Sequence, residues 1–165
     1  MRNEKGFSLV ELLIVVAIIL IIAAIAIPNM LRARMAANES AAVAGMRTIF
    51  AAEMAYDAQQ WTNPTAVGFS NLLKDLGNTT CNPPTMVSAC LLDDSMANAA
   101  TISKSGYLFT YTPKSPGGVK NTDFDLNADP VTRGQSGGRS FYTNSTGVIR
   151  FNPTAPAGPT DPGLR

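Results

Sequence analysis

The sequence predicts an α+β fold: a long N-terminal helix, membrane-spanning in its first half, packed through its second half on a small antiparallel β-sheet head. Three observations point there. Residues 12–27 are sixteen apolar residues without a break. Residues 29–58 are Ala-rich and free of Pro, with apolar side chains returning every three or four positions. After Ser105 the apolar period falls to two, as in a strand with one buried face. Gly and Pro gather after residue 60, so the two halves of the chain are built for different surroundings.

Composition narrows the chemistry. Net charge is +1, so no strong field favours a nucleic acid or an acidic substrate. The chain has no His, which removes the commonest general base and a common metal ligand. Its two cysteines, Cys81 and Cys90, are too few for a tetrahedral zinc site and are not spaced as C-x-x-C. They read as a disulfide formed in an oxidising compartment, against the alternative of two buried thiols.

Counted from Phe7, the apolar run reaches about 20 residues, enough to cross a hydrocarbon core of roughly 30 Å. Arg2 and Lys5 precede it and place the N-terminus in the cytoplasm. Glu11 interrupts the run. One reading is an ordinary secretory signal with Ala24-Ile25-Ala26 as its cleavage site. In a plain signal anchor, Ser8 and Glu11 form an S-x-x-E capping box and the carboxylate acts locally. In a third reading Glu11 has a partner in another molecule, because a charge near lipid is costly unless paired.

The stretch "KGFSLVELLIVVAIILIIAAIAIP" resembles the N-terminus of type IV pilins and of type II secretion pseudopilins. The matching features are a short charged leader ending at Gly6, the aromatic Phe7, Glu11 four residues on, and Pro28 closing the apolar run. The resemblance implies cleavage between Gly6 and Phe7 by a prepilin peptidase and methylation of the new Phe7 amine. It implies that Glu11 pairs with the Phe7 amine of a neighbouring subunit, which favours assembly and sets axial register. The partners implied are copies of the same chain in a helical homopolymer, the inner-membrane assembly machinery, and the lipid bilayer before assembly. The product would be a surface filament reached by way of the inner membrane, or, for a pseudopilin, a short periplasmic pseudopilus. A monomeric membrane-anchored binding module is the reading from a different class.

The chain then divides into a leader (1–6), a long helix (7–58, in the membrane to about residue 30), a head (59–152) and a Pro-rich tail (153–165). Pro28 predicts a kink and a place where the helix could extend in a filament. Val43, Met46, Phe50 and Met54, widened by Ile49, form the stripe facing the head, while Arg32, Arg34, Glu39 and Arg47 face away from it or toward neighbours. Residues 59–69 read as a loop. "SNLLKDLG" reads as a short helix capped by Ser70, with Leu72, Leu73 and Leu76 inward and Gly77 at its end. "GYLFTYTP" puts Tyr107, Phe109 and Tyr111 on one face. "DFDLNAD" does the same for Phe124 and Leu126, and "RSFYTNSTGVIRF" is a hairpin turning at residues 144–147. That makes three or four antiparallel strands. The tail, with four prolines in "NPTAPAGPTDPGLR", is expected to be extended and loose.

Asp123, Asp125, Asn127 and Asp129 alternate as at the start of a calcium loop. Ala128 and Gly134 break the EF-hand pattern, and on a strand the four side chains share what is commonly a solvated face. No metal is therefore assigned, and these four remain the one calcium candidate. Asn78-Thr79-Thr80 and Asn144-Ser145-Thr146 match the glycosylation sequon, although the second also reads as turn chemistry. No nucleophile sits beside a base, and there is no Gly-rich phosphate loop. The sequence therefore suggests a structural protein with no cofactor, not an enzyme.

Overall fold

The computed structural model describes residues 6–59, 61, 68–77, 81, 83–97, 101–115 and 120–164. Residues 1–5 of the leader, most of the 59–69 loop and the Asn78-Thr79-Thr80 sequon lie outside the described residues. One helix, α1 (Leu9–Ala58), runs without interruption through Pro28. The chain forms two compact units, Met1–Arg34 and Met35–Arg165, divided within this helix.

In the first unit the helix is long and apolar enough to cross a membrane, and among the described residues none of its apolar window is buried. Ile14, Leu20, Ile22 and Ile27 are all more than half exposed. Burying a side chain of this kind is worth about 1.5–3 kcal/mol. Summed along the run, the apolar surface seeking cover amounts to tens of kcal/mol.

The second unit is the head. Its sheet is an antiparallel meander in the order β1 (Thr101–Lys104), β2 (Tyr107–Lys114), β3 (Asp123–Pro130), β4 (Ser140–Asn144), β5 (Arg150–Asn152). The alternation in the sequence sets the register. Phe109 pairs with Ala128, Tyr111 with Leu126, and Ala128 with Phe141, so the middle of one face is apolar, with Thr143 buried beside Leu126. Ala42, Met46, Ile49, Ala52 and Tyr56 of α1 share a single core with that face. The helix stripe is thus centred on Met46 and Ile49, with Val43, Phe50 and Met54 only partly buried at its sides.

There are five strands where three or four were expected. The additional one, β1, has a single buried apolar residue, Ile102, and little periodicity to announce it. It joins β2 through Ser105 and Gly106, both at positive φ (50° and 74°). That is the two-residue turn whose twist suits a hairpin. Asn144 ends β4, and its carbonyl accepts from Gly147 N at 3.0 Å, so that turn falls where the sequence placed it.

The buried tyrosines each satisfy their hydroxyl. Tyr56 donates to Met86 O at 2.8 Å, Tyr107 to Arg139 O at 2.7 Å and Tyr111 to Ser70 O at 2.9 Å. Tyr107 also dictates Gly137, since a Cβ there would stand 2.1 Å from its hydroxyl oxygen.

Two local expectations are corrected. The "SNLLKDLG" segment is only a single 3₁₀ turn, Leu73–Leu76, and Leu72 is outside it and exposed. Ser70 does not cap it, because Ser70 is held by Glu53 of α1. The Asp75 carboxylate accepts from Leu72 N at 3.1 Å instead. The turn ends at Gly77, with ordinary φ of −72°, through Gly77 N donating to Lys74 O.

The tail is not loose. Ala157 is buried and Leu164 packs on the core. Phe151 N donates to Pro162 O at 3.1 Å, and Leu164 N donates to Ile149 O at 2.7 Å. Asn127 Nδ2 reaches Ala157 O at 2.9 Å, and Arg150 Nη1 reaches Asp161 O at 2.7 Å. The segment lies along β5 as a strap, held by main-chain groups that its prolines leave intact.

Cys81 and Cys90 are joined, with Cα atoms 5.7 Å apart. The returning chain is fixed by Ala89 N on Asp75 O and Cys90 N on Gly77 O, both at 2.8 Å. Closing so short a loop restrains the unfolded chain by about 2–3 kcal/mol in the chain-entropy description. Replacing both cysteines by Ala is expected to lower head stability by about that amount in urea unfolding. The same loss should follow from reducing the wild type, and an unchanged midpoint would show that the bond contributes nothing.

Candidate assembly site

The site begins where the helix begins. Gly6, Phe7 and Ser8 carry no helix, and α1 starts at Leu9. Gly6 is open: among the described residues no atom lies within 4 Å of the place a Cβ would occupy. Phe7 is 84% exposed. Ser8 is the N-cap residue, and its backbone N donates to Glu11 Oε2 at 2.9 Å. This is the reciprocal half of a capping box, in which the third helical residue satisfies an amide the helix would otherwise leave unpaired. Leu12 N donates to Ser8 O at 3.3 Å, closing the first turn.

Glu11 remains exposed while it makes this bond. It therefore has a local partner and a free side at once. A carboxylate has room for about four hydrogen bonds, and only one from this chain is in place among the described residues. Around it Leu9, Val10, Leu12 and Leu13 are exposed, so any surface that meets this helix must also meet the charge. Pro28 lies further along α1, past the last residue of the apolar run.

The other singled-out residues fall in the head and do not form a centre. Asp123, Asp125, Asn127 and Asp129 are spread along β3, on the face away from the core. Asp123 accepts from Phe124 N and Ser145 N. Asp125 pairs with Lys114 at 2.7 Å and accepts from the Tyr142 hydroxyl. Asn127 is engaged with the strap. Among the described residues no group of three or more His, Cys, Asp or Glu could hold a metal ion. Asn144 of the second sequon folds into its own turn, its Oδ1 accepting from Thr146 N and Oγ1.

Two acids on α1 have roles the sequence reading missed. Glu39, expected to face away or toward neighbours, is the helix's clasp on the β3–β4 loop. It accepts from Gly138 N, Arg139 N and Arg139 Nε, and Arg139 Nη2 lies 2.7 Å away. Burial alone would raise its pKa. The hydrogen bonds from Gly138 and Arg139, with the Arg139 charge, outweigh that and hold it below the ordinary carboxylate range. Glu53 is fully buried in the stripe that runs Met46, Ile49, Glu53, Tyr56. Its place on that apolar face was the available signal.

Comparison with known proteins bears on the N-terminal part. The family model for the prokaryotic N-terminal methylation motif matches residues 1–27. The chain is similar to the type IV wide pilus major component PilA4 of Thermus thermophilus, 61% identical over 44 residues, which are 27% of this chain and 34% of that protein. It is also similar to the type IV major pilin protein PilA of Myxococcus xanthus, 39% identical over 58 residues, 35% of this chain and 26% of that one. The match thus spans about a third or less of these relatives' own length. No solved structure matches the chain.

Proposed function

We propose that this chain, whose N-terminal segment carries the methylation motif of the type IV pilin family, is a structural subunit of a type IV pilus-like filament and not an enzyme. The observation that carries the reading is the bare apolar helix with one carboxylate at its start. That surface is bare among the described residues; lipid can cover it before assembly and the same helix of other subunits can afterwards.

A prepilin peptidase removes residues 1–6 from the cytoplasmic side. The open, non-helical stretch at residues 6–8 suits a protease, which needs an extended substrate. The freed Phe7 amine is methylated and stays cationic. Withdrawn from the inner membrane by the assembly machinery, the subunit docks so that its Glu11 meets the Phe7 ammonium of a neighbour. Moving a lone carboxylate into a dry helix bundle is penalised, and a cation at that point relieves the penalty. Mismatched registers keep the penalty, so the pair selects one axial offset. Identical subunits repeating this non-closing contact build a filament, not a ring. Pro28, which has no amide proton to give, marks where the helix lengthens as subunits pack.

Deleting the coding sequence from the source bacterium and imaging the cells by electron microscopy tests the role. Surface filaments should vanish and return on complementation. Unchanged filaments in the deletion strain would contradict it.

A further inference from the structure

The head holds two carboxyl groups in its core. Glu53 is fully buried and Asp75 is 6% exposed. Glu53 accepts from Ser70 N at 3.0 Å and Ser70 Oγ at 2.5 Å. Among the described residues no cation forms an ion pair with Glu53. The groups around it are acids, phenols and neutral amides: Tyr56 on α1, Asp75 in the 3₁₀ turn, Tyr111 on β2. Lys74 acts on Asp75, and Lys120 on the rim is taken by Asp57 at 3.8 Å.

Residues 68–71 are held from two sides. Tyr111 donates to Ser70 O, and Asn121 Nδ2 donates to Phe69 O, Ser70 O and Asn71 Oδ1. Gly68, at φ 65°, lies against Asn121. Those bonds tie the loop to the sheet, and the Glu53–Ser70 pair ties it to the helix.

We propose that Glu53 and Ser70 form a proton-operated latch, closed when Glu53 is protonated and loosened when it ionises in a more alkaline medium. With its proton on, the carboxyl is neutral, keeps both contacts to Ser70, and can be the donor in the short one. With its proton off, a charge stands in an apolar core near Asp75 with two hydrogen bonds and no cation, and opening the loop to water is its way out. Burial is the chief cause holding Glu53 above the ordinary carboxylate range, opposed by the Ser70 hydrogen bonds and the nearby Tyr111 hydroxyl and helped by Asp75. Asp75 is raised too, again by burial first. A carboxyl raised in the folded state stabilises the fold below its free value, and the contribution is lost as pH rises through the raised value. The latch therefore loosens toward alkali.

The single tryptophan reports on it, since the Trp61 ring lies tilted at 44° against Tyr56, centroids 5.8 Å apart, one helical turn from Glu53. The test is a pH titration of Trp61 emission on the full chain in detergent micelles, with Glu53→Gln alongside. The wild type should show a transition above the free-carboxylate range, and the Gln variant should lack it. Exchange at the Ser70 amide, corrected for intrinsic base catalysis, should rise about tenfold for each unit by which the folded group stands above its free value. A flat wild-type titration, or the same transition in the Gln variant, overturns the proposal. If Glu53→Gln fails to fold, infrared spectra of Asp75→Asn decide. A protonated-carboxyl band persisting where free carboxyls are ionised supports the latch, and its absence refutes it.

Discussion

Glu11→Gln will leave the subunit made, inserted and cleaved at Gly6, and will remove its filaments. The bond between Ser8 N and Glu11 Oε2 at 2.9 Å needs only an acceptor, and the Gln carbonyl supplies one. The first turn of α1 therefore survives. The negative charge does not. In the proposed filament a neighbour's Phe7 ammonium then enters the bundle unpaired, and breaking a buried pair in this way costs about 3–5 kcal/mol. That is roughly hundreds- to thousands-fold in each docking equilibrium, and a filament repeats the loss at every subunit. Quantifying sheared fibres against membrane-bound processed subunit measures the effect. Normal fibre yield with processing intact would assign Glu11 to capping its own helix and nothing more.

Deleting residues 153–165 will destabilise the head. The strap supplies the Pro162 carbonyl to Phe151 and the Leu164 amide to Ile149. It also supplies the Ala157 and Asp161 carbonyls to Asn127 and Arg150. At about 1 kcal/mol for each bond, with the cover of Ala157 and Leu164 lost as well, the deletion should cost about 3 kcal/mol or more. In a head of this size that lowers Tm by roughly 10 °C. It also bares the outer edge of β5, and open strand edges invite pairing between chains. Calorimetry and size-exclusion chromatography of the deleted chain in detergent check both. An unchanged Tm would return the tail to the loose segment its composition suggests.

That contrast shows what sequence could and could not disclose. The apolar run, the Ser8–Glu11 cap and strands β2 to β5 were legible because each depends on side-chain periodicity or on a residue type at fixed spacing. Tyr107, Phe109 and Tyr111 alternate and are buried; Phe124 and Leu126 do likewise. The strap was illegible because its order comes from backbone carbonyls, which every residue carries, and from where β5 happens to run. Strand β1 was hidden because Ile102 is its one buried residue, leaving Ser105-Gly106 as the only local sign. Glu39 and Glu53 were misread or missed for a common reason. A carboxylate on an amphipathic helix is expected on the wet face, and each here is turned inward by donors some 17 to 100 residues away in sequence.

The most direct test of the assembly account is mass spectrometry of the subunit in fibres sheared from the source bacterium. The account predicts this chain as a fibre component whose first residue is Phe7, carrying one methyl group on its amine. That is the cation the proposed filament pairs with Glu11. A chain that begins at Met1 or at Ile27, or that is absent from the fibres, would contradict it.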